Sequence, residues 1–408
     1  MLTSASPRRL RRVLVVATVG IVAVLLSLPA TASARPGSSG ARGSAGDRVA
    51  AAGRCPSVQV AKCHVRLSTG ISMAYEAVGP RRGPAVILLH GLTDSSRSWS
   101  LAMQRLHEQR PDLRIYALDQ RGQGDSSMPR GARCRKAPKT CFSMADLARD
   151  VVAFMHARGI HHVTLAGHSM GSFVAQEVAL RHPHMVRRVV FIASSTTGVD
   201  NPTLRDYVLP QIVGPWRKAL VKQGVSWPEG AYNKTPLDAD PHAVQWMKTA
   251  WDADPVAPPR LVNAIAKDTA HVRLGTWLGE TRALLAQDNT ARLRHLRVPV
   301  LVLWGAQDPI FYRSPDQRGL IAALKSAARG PGSFSWKQYG TRPLPASGYQ
   351  VDEIGHNIQW EAAGKVARDI SAFMRTGHPT PDLYHTDYPA DIHQILTVAG
   401  AATVISRR

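Results

Sequence analysis

Five apolar runs recur along the chain, AVILLHG, RIYALD, HHVTLAG, RRVVFIASS and VPVLVLWG, and amphipathic patterns such as SWSLAMQRLHEQ and MADLARDVVAFMHARG stand between the first four. A strand buried on both faces reads as a continuous apolar run, whereas a helix lying on a sheet repeats its apolar positions once per helical turn. Alternation of the two dictates an α/β fold, a mostly parallel sheet with helices on both faces. Ahead of this series, CHVRL and ISMAYEAVG predict a hairpin joined through Ser68, Thr69 and Gly70. Over 199–289 the rhythm breaks into Pro-, Trp- and charge-containing helical pieces, which read as a domain-like insertion. VPVLVLWG then resumes the sheet, SPDQRGLIAALKSAA predicts a helix, GYQVDEIG the last strand and IQWEAAGKVARDISAFM the helix that follows it. The tail, 378–408, has no place in this scheme, and the sequence leaves open whether it docks as an extra strand or stays mobile.

A chain of 408 residues with 44% hydrophobic content suits one large domain with insertions or two ordinary ones, and it excludes a disordered protein. The N-terminus reads as an export signal over 1–34. Arg8, Arg9, Arg11 and Arg12 precede the apolar run VLVVATVGIVAVLLSLPA, and Ala32, Ser33 and Ala34 fit a cleavage site. Cleavage after Ala34 leaves a flexible linker over 35–54 and a secreted protein, by the general or the twin-arginine route. The apolar run is also long enough for an uncleaved membrane anchor, the alternative reading.

Four cysteines suit an oxidising compartment. Of three possible connectivities, the pairs Cys55–Cys63 and Cys134–Cys141 each pin a short loop. A metal site competes, but no histidine lies at zinc-finger spacing from two cysteine pairs. The formal charge of +22 falls to about +18 once the four signal arginines are removed. Such a balance favours anionic surfaces. No long basic run or nucleic-acid motif accompanies it, so nucleic-acid binding is not expected.

Open parallel sheets bind ligands beyond the carboxyl ends of their strands. Reactive groups are therefore sought directly after strand runs. In LAGHSMGSF, Ser169 stands in a G-x-S-x-G pattern where a strand turns sharply into a helix, a geometry that exposes a serine hydroxyl as a nucleophile. Asp308 follows VPVLVLWG and His356 follows GYQVDEIG. Together they suit one relay, with His356 accepting the Ser169 proton and Asp308 holding the imidazole. Asp119 and Asp200 are rival acids. Asp119 is expected instead to hold the RGQGDS turn through backbone or Arg121 hydrogen bonds, and Asp200 is the better alternative. Among the 16 histidines, His168 is expected to point away from the serine beside it, and His90 to pack or hydrogen-bond locally. The backbone N–H groups of Met170 and Leu92 are the candidate oxyanion donors.

The landmarks LLHGLTDSSRSW, LDQRGQGDS, LAGHSMGSFVAQ, LWGAQDPIF and GHNIQWE together resemble those of the α/β-hydrolase superfamily over roughly 85–374. The resemblance implies an eight-stranded, mostly parallel sheet with a helical cap after the sixth strand. The core is then split into 55–198 and 290–377, around a cap at 199–289. It also implies the chain order Ser169, Asp308, His356, and a serine at the apex departs from the dehalogenase and epoxide-hydrolase branches, which carry aspartate there. The cysteine-bracketed loops, SFSWKQYGTRPLPASG and the tail are not general family features. Trp216, Trp227, Trp246, Trp251 and Trp277 in the cap fit either an apolar pocket or ordinary helix packing.

The expected function is a secreted, cofactor-free and metal-free serine hydrolase acting on a small, apolar carboxylic ester through an acyl-enzyme. Amide or peptide hydrolysis, carbon–carbon bond hydrolysis, lactone opening and peracid formation share the same relay. A cationic envelope-binding protein on a hydrolase scaffold is the non-enzyme alternative.

Overall fold

The computed structural model describes residues 62–311, 316–340 and 354–381 together with two strands in the tail. The expected signal, the linker and Cys55 of the Cys55–Cys63 pair lie outside the described residues. One ten-stranded sheet runs through the chain, its strands in the spatial order 1-2-4-3-5-6-7-8-9-10 when numbered along the sequence. The first two strands, β1 (Cys63–Arg66) and β2 (Ser72–Val78), form the hairpin, and Gly70 in its turn takes φ +87°. Six parallel strands follow: β3 (Ala85–Leu89), β4 (Arg114–Leu118), β5 (Val163–His168), β6 (Val186–Ile192), β7 (Val300–Gly305) and β8 (Phe334–Tyr339). These eight make the expected mostly parallel sheet. The tail adds β9 (Gln394–Thr397), antiparallel to β8, and β10 (Ala402–Val404), antiparallel to β9.

Side chains alternate across a strand, and the apolar runs accordingly feed two separate cores. Ile87, Leu89, Leu165, Phe191 and Val302 face the helices Met144–Ala157 and Met170–Arg181, which contribute Phe154, Phe173 and Val178. Val86, Leu88, Ala166, Val190 and Leu301 face the helices Ser100–Gln109 and Ala363–Thr376, which contribute Met103, Ile370 and Phe373. Ser143 and Asp146 start the helix Met144–Ala157 with a reciprocal capping box.

One expected strand is corrected. The position beside β7 belongs to Phe334–Tyr339, and Ile354 and Gly355, the described end of GYQVDEIG, are not in a strand. Lys337 and Gln338 interrupt the apolar pattern of β8, yet both are buried. Lys337 Nζ lies 3.1 Å from Asp369, which also bonds the Tyr339 hydroxyl, and Trp336 stacks on Trp304 of β7 at 4.7 Å. A buried ammonium is tolerable only when paired. Asp369 thus allows a lysine inside a strand.

Between β6 and β7 the chain carries successive helices and no named strand. Trp216 and Trp277 pack edge to face at 5.1 Å inside this segment. Cys134 and Cys141 form a disulfide, and Cys134 and Phe142 pack with Tyr232 of the insertion, whose hydroxyl donates to the Pro129 carbonyl at 2.9 Å. Among the described residues, no helix is long and apolar enough to cross a membrane, and no group of His, Cys, Asp and Glu is arranged to hold a metal ion.

Candidate active site

Strand β5 ends at His168, and the helix Met170–Arg181 begins one residue after Ser169. That leaves a single residue to reverse the chain, and Ser169 does so at φ +50° and ψ −122°. A non-glycine residue holds such a conformation only where its surroundings impose it. The flanking glycines are steric necessities. A Cβ on Gly167 would sit 2.2 Å from the Gly171 carbonyl oxygen, and one on Gly171 would sit 2.4 Å from that of Leu89. Beneath the turn, Ser172 Oγ donates to the Ser169 carbonyl at 2.6 Å and lies 2.7 Å from Ser194 Oγ.

His356 and Asp308 meet behind this turn. His356 Nδ1 donates to Asp308 Oδ1 at 2.9 Å, and the same oxygen accepts the backbone N–H groups of Ile310 at 2.8 Å and Phe311 at 3.1 Å. Asp308 is fully buried, so these donors replace water around Oδ1, while Oδ2 has no hydrogen-bond partner among the described residues. Ser169, His356, Gly91 and Leu92 line one cavity of about 630 Å³. Residues from the insertion close it, among them Leu204 and Trp251, with Phe311 and Trp360 from the core. Met170 lies outside the lining because its side chain is fully buried, but it is the first residue of its helix, where backbone N–H groups lack intrahelical partners.

The rival acids stand elsewhere. Asp119 accepts from the backbone N–H groups of Ser96 at 2.7 Å and Asp125 at 2.8 Å and from Lys62 at 2.7 Å, and it holds the loop. Burial opposes its charge, but the Lys62 ammonium, the Asp125 N–H and His90 together outweigh burial and keep the carboxyl below its usual range. Arg121 bonds Asp150 instead, at 2.7 and 2.8 Å. Asp200 is exposed and faces Arg205 at 3.7 Å.

Three positioning groups escape a reading by motif. His168 does not stand apart: its Nε2 donates to the His356 carbonyl at 3.0 Å, and the two rings lie 4.8 Å apart. Burial, with His356 adding, holds its imidazole well below the usual range and therefore neutral. Glu361 accepts from Gly355 N–H at 2.7 Å and Asn357 N–H at 3.2 Å, bracketing His356 on both sides. His90 accepts from Gln120 N–H through Nε2 at 3.0 Å, so Nδ1 carries the proton it donates to the Gly91 carbonyl at 2.9 Å. Burial lowers its pKa to about 4, which keeps that tautomer neutral. In a planar trans peptide the C=O and N–H point in opposite directions. Fixing the Gly91 carbonyl therefore also fixes where Leu92 N–H points.

The cavity carries an acidic wall. Burial pushes Asp94 up to about 7 and Asp252 well above the carboxylate range, each raised further by neighbouring carboxylates. Asp252 Oδ2 is buried with no hydrogen-bond partner among the described residues. Glu361 is likewise raised by burial, with Asp254 adding.

Comparison with known proteins bears on this arrangement. A family model described as alpha/beta hydrolase fold matches residues 84–363. Epoxide hydrolase 4 of Mus musculus is 30% identical over 131 residues, covering 32% of this chain and 34% of that protein. The putative 2-succinyl-6-hydroxy-2,4-cyclohexadiene-1-carboxylate synthase of Bacillus subtilis is 32% identical over 136 residues, covering 33% of this chain and 45% of that protein. The chain thus spans less than half the length of these curated relatives. The crystal structure of the enol-lactonase from Burkholderia xenovorans LB400 superposes with a TM-score of 0.53 at 19% identity, covering 76% of this chain and 99% of that one, a likeness of fold. Because the family match runs from the start of β3 into the last helix, and so takes in every element that frames the cavity, the chain belongs to the α/β-hydrolase family.

Proposed function

We propose that the protein hydrolyses small carboxylic esters through an acyl-enzyme on Ser169, after export and removal of residues 1–34. The observation that carries this reading is the strained Ser169 turn sharing one cavity with His356, whose far nitrogen is engaged by buried Asp308. With Nδ1 committed to Asp308, Nε2 of His356 is the nitrogen left to take the Ser169 proton as Oγ attacks the carbonyl. Leu92 N–H and Met170 N–H receive the oxyanion, and each such donor is worth about a hundredfold to a thousandfold in rate. Collapse of the adduct expels the alcohol, protonated by the His356 imidazolium. The freed imidazole then activates water against the acyl-enzyme. Ser169 at the apex separates this chain from epoxide-hydrolase chemistry, the activity named for the mouse relative. Leu204, Leu284 and Phe311 offer an apolar wall for the acyl group.

The test uses purified protein and p-nitrophenyl esters of graded acyl length. Expected are burst kinetics, labelling of Ser169 by a fluorophosphonate, and loss of both in Ser169→Ala. Undiminished turnover in that variant would refute the assignment.

A further inference from the structure

At the amino ends of β3, β4, β5 and β6, across the sheet from Ser169, lies a second concavity of about 720 Å³. Among the described residues eight arginines and two histidines line it, and no carboxylate does. The arginines arrive from separate segments: the loop before β3, the ends of three helices, and the strands β4 and β6. Chance surface decoration would spread them over the molecule, whereas these converge.

Two of the guanidinium groups are held in place by aromatic faces. Arg114 lies 5.0 Å over the Tyr116 ring and donates to the Gly79 carbonyl at 2.7 Å, and Arg158 lies 5.5 Å over Tyr75. Such stacking orients the fork at little entropic cost. Arg110 is neutralised by Asp112 at 2.7 and 2.8 Å, just outside the cleft. Arg114, Arg158 and Arg188 each bury an Nε–H with no acceptor among the described residues. A guanidinium cannot shed its charge as a lysine or histidine can. Arg81 and Arg110 apart, the cluster therefore calls for a counter-charge from outside.

We propose that this cleft binds a compact anion carrying several phosphate groups. Phosphate oxygens accept paired N–H bonds from guanidinium forks, and linked phosphates concentrate enough charge in a small volume to answer so many cations. The concave shape favours such a ligand over a flat anionic bilayer, which would reach only the rim. The site is independent of ester hydrolysis, since the five-residue β3 that separates the two poles spans roughly 17 Å.

Isothermal titration with inorganic tripolyphosphate tests the proposal. Expected is saturable one-to-one binding, about tenfold or more tighter than orthophosphate and weakening steeply with added salt. Replacing the exposed Arg82, Arg187 and Arg375 together by alanine should lower the affinity by about tenfold or more while leaving p-nitrophenyl ester turnover intact. That retained turnover also shows the variant to be folded. Should it fail to fold, the charge-conserving replacement of the same three arginines by lysine decides the matter: it keeps the charge but loses the paired fork, and tripolyphosphate must bind it at least about threefold more weakly than the unaltered protein. Absence of saturation, equal affinity in the folded alanine variant, or undiminished affinity in the lysine variant would each overturn the proposal.

Discussion

The two ends of the parallel strands solve opposite electrostatic problems with the same sheet. At the carboxyl ends, buried Asp94 and Asp252 and half-buried Glu361 line the cavity and are raised out of the usual carboxylate range. At the amino ends, eight guanidinium groups share a cleft and keep their charge. A carboxyl group escapes desolvation by taking up a proton. A guanidinium has no such exit, so it needs aromatic faces, carbonyls or an incoming anion. The acidic pole is thus tunable by pH near neutrality, and the basic pole by salt and by ligands.

The largest expected effect separates the poles by chemistry. Ser169→Ala should lower ester turnover by about 10⁴-fold or more, measured as kcat with p-nitrophenyl esters, whereas the triple arginine variant should leave kcat unchanged. Comparable losses in both would break the division. A smaller effect sharpens the account of the catalytic pole. His90→Ala frees the Gly91 carbonyl, and kcat should fall by about tenfold to a hundredfold with KM little changed, because Leu92 N–H loses its aim. A loss confined to KM would remove His90 from that role.

Acidity supplies the next test. Asp94, raised to about 7, is neutral below that pH and anionic above it. Raising the pH from 6 to 8 should increase KM for an ester with an apolar acyl group by about threefold, and decrease it for an aminoacyl ester, through charge at short range in a poorly solvated cavity. Asp94→Asn should flatten both profiles. Stability should move over a lower pH window. A carboxyl whose folded pKa lies above its ordinary 3.8 stabilises the protein fully below that value and loses the contribution as pH climbs to about 7. Urea unfolding should therefore show the native protein weakening between about pH 4 and 7, by at most about 1.4 kcal/mol per pH unit, and Asp94→Asn weakening less. An identical pH slope in the variant would count against the buried, proton-bearing Asp94.

Much of the scaffold was legible because continuous apolar runs leave few alternatives to a doubly covered sheet. The strand Phe334–Tyr339 was obscured by Lys337, whose partner Asp369 lies 32 residues away on another element. His356 follows GYQVDEIG, whose described end is not a strand, whereas the serine turn and Asp308 announce themselves by position directly after strands. Glu361, His168 and His90 do not, since each acts on a backbone group whose direction no motif records. The arginine cleft was invisible for a related reason. Its members are scattered singly and in pairs along the chain, and only the sheet brings them together.

The buried contact between Lys337 and Asp369 has a consequence for how the chain tolerates change. Asp369 sits eight positions beyond Glu361, with the helix Ala363–Thr376 carrying most of that interval. Inserting one residue in that helix ahead of Asp369 would turn everything beyond it by about 100° and advance it about 1.5 Å, so the two acids could no longer reach β8 and the His356 loop together. That helix thus works as a gauge block: the interval between Glu361 and Asp369, rather than the identity of its solvent-facing residues, sets both contacts at once.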